Sequence, residues 1–377
     1  ALHFTTKETA FIYTAQLLIF LAVLFLRDVI RKDWVSQSRR DVFVFTMLAV
    51  LLFLAIALGA AILDSGNGAE STASTSIYHT LMLISLGLAM VTAAVALYML
   101  IRSVGWRVVK DIRSFDLLIL TISMILPQLI AFPMNLAGFN PLDYSEAGLI
   151  KTSLFLLGAV IISLALGLLW KPRLWAINIG IFYAIFTIFY TTFFTNGQGF
   201  FTGLVGSLGY WLTQQGVNRG SQPWYFFAFL QVPMYEYLPA LGTILALIVG
   251  IRKRLFVTTP GVDLSDQPLT LRETAEPEPT LPSDLPDESD EVVVEIEQDT
   301  PHTEPDKLPV LALLLFWSVM SLVAYTLAGE KMPWLTVHIA MPMILSAGFG
   351  FGYLLESFPF SQLAGKKTGL LRLITPI

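Results

Sequence analysis

The sequence contains no cysteine, which excludes a disulfide framework and any thiolate metal centre. Charge is scarce as well. Only 14% of the residues are Asp, Glu, Lys or Arg, against about 25% in an average soluble domain. The motifs of common soluble enzymes are missing. There is no Walker A loop, no dinucleotide fingerprint in a strand–helix context, no HExxH and no GxSxG. The Gly-rich run GFGFG at 348–352 falls inside an apolar stretch, where it predicts helix packing or kinking and not a phosphate loop. Alternating, strand-like segments are too few for a barrel.

What is present is hydrocarbon. Of 377 residues 55% are hydrophobic, and the mean hydropathy is +0.68. Apolar runs near the length that crosses a bilayer core recur along the chain. Helices are then the form in which the backbone satisfies its own hydrogen bonds in lipid. The expected fold is an all-α, polytopic helical membrane protein of about nine spans. These lie near 9–26, 42–63, 77–101, 117–133, 147–170, 174–194, 223–251, 308–327 and 334–355. Pro127 and Pro133 interrupt the fourth.

The net charge of −5 hides two parts. Residues 256–307 hold 15 of the 28 acidic residues, with Arg272 and Lys307 as their only Lys/Arg. That stretch is rich in Pro, Ser and Thr and has too little apolar surface to offset ordering, so it reads as a disordered linker. It divides a bundle at 1–255, of about seven helices, from 308–377, two further helices and a short basic tail. Basic residues cluster in alternate loops: 27–41, 102–116, Lys171 with Arg173, Arg252 to Arg254, and Lys366, Lys367 and Arg372. The positive-inside rule makes those loops, the linker and the tail cytoplasmic, in the plasma membrane of a prokaryote. The chain opens on Ala1, without a signal peptide, and reads as a piece of a longer protein.

The remaining loops face outward. The segment 195–222 has apolar residues at spacings of three and four (Phe200, Phe201, Leu204, Val205, Leu208, Trp211, Leu212), the pattern of a helix in the interface plane. Gly203, Gly206 and Gly209 oppose a helix there. Three polar clusters share this side: Lys7-Glu8; Gln214, Gln215, Asn218, Arg219 and Gln222, with Glu236 deeper in the span that follows; and AGEKMPWLTVH at 328–338. Each has an ordinary explanation. Thr5-x-x-Glu8 fits a capping box, Trp211, Trp224, Tyr225 and Trp334 fit an aromatic belt, and His79 and His338 fit packed, hydrogen-bonded side chains. Taken together they suggest more. Spans one, seven and nine all present helix N-termini outward, each with a basic neighbour (Lys7, Arg219, Lys331), a setting for phosphate. Trp334 and His338, four apart, would share one face below Lys331. Ser221 and Pro223 look like the start of span seven.

Lys7, Arg219, Lys331, Gln215, Gln222, Trp334 and His338 are therefore the expected binding residues for a lipid-linked phosphate sugar. Sugar transfer also needs a carboxylate base. Glu236 and Glu330 are candidates, but neither belongs to an acidic pair, so the catalytic group stays unassigned. No residue cluster specifies a metal; a divalent cation accompanying the phosphate is the one cofactor considered. Nucleic acid is not an expected partner.

YWLTQQGVNRGSQPWYFF (210–227) and GEKMPWLTVHIAMP (329–342) resemble the two signature stretches of the flippase-activity-associated membrane protein family, and KETAF (7–11) resembles the start of a middle helix of it. That family is grouped with the GT-C type, polyprenyl-phosphate-sugar-dependent glycosyltransferases, akin to protein O-mannosyltransferases. The resemblance covers most of the chain outside 256–307. It implies a transferase taking a sugar from a polyprenyl- or dolichyl-phosphate donor at the extracytoplasmic face. A lipid-linked-sugar transporter or flippase accessory without its own catalysis is the alternative, and a structural subunit of a larger complex a third. GT-C enzymes keep their catalytic acidic residue in the first outer loop, which would lie upstream of Ala1.

Overall fold

The computed structural model describes residues 1–6, 8–66, 77–215, 222–256, 309–329 and 331–357. Lys7, Arg219, Ser221, Glu330, the acidic stretch from 257 onward and the basic tail lie outside the described residues, as does the side chain of Gln215. Every regular element among the described residues is helical. In chain order they begin with α1 (Leu2–Thr6), α2 (Ala10–Ile30), α3 (Gln37–Gly66), α4 (Ile77–Ser103), α5 (Trp106–Lys110), α6 (Arg113–Ile125) and α7 (Ala131–Leu136). There follow α8 (Glu146–Trp170), α9 (Pro172–Tyr190), α10 (Gln198–Phe201), α11 (Ser207–Gln215), α12 (Val232–Tyr235), α13 (Tyr237–Arg252), α14 (Val310–Leu327) and α15 (Thr336–Ser357).

Seven helices are long and apolar enough to cross a membrane, and eight if the bent pair formed by α12 and α13 counts as one span. The protein is thus a polytopic helical membrane protein, with fewer such helices than the nine expected. The expected span at 117–133 is divided. Pro127 sits in a 3-10 turn, Leu126–Leu129, that separates α6 from α7. At about 1.5 Å per residue neither piece alone spans the roughly 30 Å hydrocarbon core.

The helix ends that carry the basic loops meet. Val29, Phe43, Leu100, Phe115, Trp170 and Trp175, from the ends of α2, α4 and α8 and the starts of α3, α6 and α9, form one apolar cluster. Polar bonds rim it. Asp116 accepts from Trp170 Nε1 and Lys171 Nζ, each at 2.7 Å, and Asp28 accepts from Ser114 Oγ at 2.9 Å. Loops 27–41 and 102–116 and Lys171 are thereby gathered at one end of the bundle, as the charge alternation requires.

Within the segment 195–222, residues 198–215 form helix, through α10, a π-turn at Thr202–Gly206, and α11. Much of its apolar face is packed into the protein, while Phe201 stays exposed. Leu204, Val205 and Leu208 are buried against residues of the 125–134 region, α1, α2 and α9. Its glycines are the close approaches: a Cβ on Gly203 would enter the ring of Tyr190, and one on Gly206 would meet the Tyr144 hydroxyl at 2.8 Å. Local helix propensity is outweighed here by what the missing side chains allow. Trp211 packs in the same cluster as Leu208.

The capping box at Thr5 and Glu8 is not formed. Thr5 Oγ1 donates to the Leu2 carbonyl at 2.7 Å, and the N-cap of α2 is Thr9, which makes no side-chain capping bond. Among the glycines of GFGFG, Gly350 packs where α15 crosses α13, against the Gly242 carbonyl and the Ala246 backbone, while Gly348 and Gly352 face open space.

Candidate functional site

Span seven was expected near 223–251, with Glu236 about a third of the way down. It is broken at that residue. The chain enters as a π-helix, Phe226–Gln231, continues as α12, and turns by 101° into α13. Two prolines explain the break. Pro233 and Pro239 have no N–H for the carbonyls four residues earlier, those of Phe229 and Tyr235. Glu236 takes the junction, with φ −121° and ψ 28°, and its side chain is half-buried.

A groove of about 800 Å³ opens at this junction, between it and the first half of α15. Its polar end is made by Gln231, Glu236 and Thr336, with Tyr235 and Trp334 beside them. Below them, Val337, Met341, Ile344 and Leu345 line an apolar wall along one side of α15. From 337 to 345 that wall is about 12 Å long. Thr336 Oγ1 donates to Gln231 Oε1 at 3.4 Å and ties the two walls together at the polar end. A shape with one carboxylate and two neutral polar groups at the top, and only hydrocarbon below, fits an amphiphile.

The structure sorts the expected site residues. Glu236 and Trp334 line the groove. Gln222 is exposed, and the helical run begins at Phe226, three residues after Pro223. Lys331 lies on the loop that leads to the groove. Its Nζ donates to the Ala328 carbonyl at 2.8 Å, and α15 begins only at Thr336, after a 3-10 turn at Pro333–Leu335, so its ammonium is engaged on the loop and not at the first turn of α15. The 3-10 turn also overturns the pairing of Trp334 with His338. The helical spacing of four does not run through it. Trp334 turns to the groove, while His338 turns to α2 and α14, where Tyr13 Oη and His338 Nδ1 are 2.6 Å apart and the Tyr325 ring stacks on the imidazole. Lys7, Arg219 and Glu330 lie outside the described residues.

Gln231, Tyr235 and Thr336 belong to the site and were not singled out from the sequence. The available signal was a polar residue, Gln231, inside an apolar run beside a proline. Asp116 lies apart from this site, held near the start of α6 by Trp170 and Lys171. Among the described residues no group of three His, Asp or Glu side chains is placed to hold a metal ion.

No known family model matches the chain. No curated protein and no solved structure is significantly similar to it.

Proposed function

We propose that the protein is a membrane glycosyltransferase, or part of one, that takes a sugar from a polyprenyl-phosphate donor at the extracytoplasmic face. One observation carries this reading: the groove at the Glu236 junction has a carboxylate at its polar end and a continuous apolar wall below. The isoprenoid lies along Val337, Met341 and Leu345, and the phosphate sugar sits among Gln231, Glu236 and Thr336. In the transfer an acceptor oxygen attacks the anomeric carbon, the bond from that carbon to the phosphate oxygen breaks, and the acceptor proton passes to a base. Glu236 is the described carboxylate at the right end of the groove to take it. A cation must balance the departing phosphate. Lys331 and Arg219 are the basic residues nearest in sequence to the groove-lining segments, and a divalent cation is the other means.

Transport of the same lipid by a flippase accessory is the second reading, favoured by the broken helix at Glu236, a device that transporters use at substrate sites. One reconstitution separates the two. The protein in lipid vesicles is given a labelled polyprenyl-phosphate hexose, and both sugar transfer and donor scrambling are followed. Glu236→Gln is expected to lower transfer about 10²- to 10⁴-fold with donor binding retained. Transfer unchanged in this variant removes Glu236 as base. Scrambling without transfer by the wild-type protein replaces the enzyme with the transporter.

A further inference from the structure

On the side of α15 away from the groove lies a second polar site, enclosed between α2, α14 and α15. Tyr13 Oη and His338 Nδ1 are 2.6 Å apart. The Tyr325 ring lies nearly parallel to the imidazole, with centroids 5.4 Å apart and planes at 8°. Trp317 meets the Tyr13 ring edge-on at 5.5 Å. Around this core, two buried nitrogens, Gln16 Nε2 and Trp317 Nε1, have no hydrogen-bond partner among the described residues, and the Tyr325 hydroxyl faces that of Tyr13. Gln16 and Tyr325 are 4% and 2% exposed, so lipid and bulk water do not reach them. Both nitrogens can only donate.

Polar side chains between membrane helices often act only as glue, and this bundle contains such a case. Ser163 Oγ donates to the Ser123 carbonyl at 2.5 Å, and Trp175 Nε1 donates to Ser123 Oγ at 3.2 Å. There, each polar group named has a partner. The α2–α14–α15 site is different, since it keeps donors in excess and holds a titratable ring among them. An unsatisfied donor at membrane depth costs several kcal/mol, and a water molecule shared between such donors is the ordinary way to satisfy them.

We propose that Tyr13, Tyr325 and His338 form an internal, hydrated proton-exchange site in which the imidazole takes up one proton through the Tyr13 hydroxyl. The hydroxyl suits both states of the ring. It donates to a neutral Nδ1 and accepts from a protonated one, so the short bond survives the change. In the uptake step the Tyr13 O–H proton passes to Nδ1, Tyr13 Oη takes a proton from a water molecule on its outer side, and that water takes one in turn from the bulk solution. The tyrosine is restored, and one proton has moved from solution to the ring. The parallel Tyr325 face lies over the resulting imidazolium and favours it. The titratable neighbours include Tyr13 from α2, Tyr325 from α14 and His3 from α1. His3 is exposed and its ring centroid is 4.8 Å from that of Tyr13, which places a second imidazole at the entrance. Among the described residues Lys331 is the charged residue on the loop leading into α15, where Glu330 precedes it in the sequence. The site stands whether or not the groove binds a lipid-linked sugar.

The test is ¹⁵N NMR of histidine-labelled protein in lipid nanodiscs, with His338→Gln to assign the resonance. Nδ1 is expected to be unprotonated in the neutral form, and the ring to gain one proton between about pH 5 and pH 9. Tyr13→Phe, which removes only the hydroxyl, is expected to move the midpoint by about one pH unit and to slow proton exchange at the ring about tenfold. Tyr325→Phe keeps the stacked ring and is expected to slow exchange less. A ring that holds one protonation state across that pH range in the wild-type protein overturns the proposal without any variant. So does an exchange rate that Tyr13→Phe leaves unchanged.

Discussion

Thr336 Oγ1 and Gln231 Oε1 meet at 3.4 Å across the mouth of the groove, one from the first residue of α15 and the other from the last residue of the π-helix Phe226–Gln231. The bond joins the two walls at the point where the lining changes from polar to apolar. Thr336→Val and Gln231→Leu are each expected to loosen the mouth and to weaken binding of a polyprenyl-phosphate probe. A double-mutant cycle read by probe affinity should give a coupling of about 0.5–1.5 kcal/mol, the worth of one neutral hydrogen bond. A coupling of zero would mean that the bond does not hold the mouth.

The crossing of α13 and α15 depends on two glycines. A Cβ at Gly242 would lie 2.8 Å from Ala347 Cα, and one at Gly350 would lie 2.9 Å from the Ala246 backbone nitrogen. Both obstacles are backbone, so a helix must move. Gly242→Ala and Gly350→Ala are each expected to cost about 1–3 kcal/mol of stability, as overpacking does. Gly352→Ala meets open space and serves as the control. Unfolding in detergent micelles reads the difference. Equal stability in all three would dissolve the crossing.

Asp116 holds Trp170 Nε1 and Lys171 Nζ together. The indole is almost fully buried, at 3% exposure, so it has no water to turn to. Asp116→Ala is expected to destabilise by about 1–3 kcal/mol, the cost of leaving a buried donor unmatched. Lys171→Ala should cost less, about 0–1 kcal/mol, because that ammonium is 39% exposed. Tryptophan fluorescence during unfolding reports on both.

Asp143 offers a test by pH. It lies in the loop before α8, and its carboxylate is held below the ordinary aspartate range, first by the side-chain bond to Ser145 and then by the Ser145 backbone N–H at 3.0 Å. Ser145 in turn caps α8 by accepting from the Gly148 N–H at 3.2 Å. A depressed folded value means that the contribution is present above the ordinary aspartate value and is lost as pH falls through the folded one. The Ser145 and Gly148 amide resonances should therefore move together only below the usual carboxylate range. In Asp143→Ala, that joint movement should vanish.

Much of the fold was legible in the chain. Run length and hydropathy locate α2, α3, α4, α8, α9, α14 and α15 to within a few residues, because a helix in lipid must carry about 20 apolar residues whatever it packs against. Of the two prolines expected to interrupt the fourth span, Pro127 sits at the break and Pro133 lies within α7, while the break at Pro233 and Pro239 was not expected. Less legible was how helices fail. Pro127 divides a span into pieces, whereas Pro233 and Pro239 bend one by 101° and put Glu236 at the corner. Whether freed carbonyls end a helix or redirect it depends on the neighbours that re-satisfy them. The glycines of 203–209 misled for a related reason: propensity counts the missing side chain as a cost, and packing against Tyr190 and Tyr144 uses the space.

The sequence by itself determined that this is a helical membrane protein and that its polar residues cluster outside its longest apolar runs. Those are consequences of composition and period, which act locally. Only the tertiary structure decided which polar residues meet. Tyr13 and His338 are 325 positions apart and lie 2.6 Å from each other, while Trp334 and His338, four positions apart, face different sites. The reason is the 3-10 turn at Pro333–Leu335, which resets the helical phase just before α15 and gives the two sides of that helix separate partners.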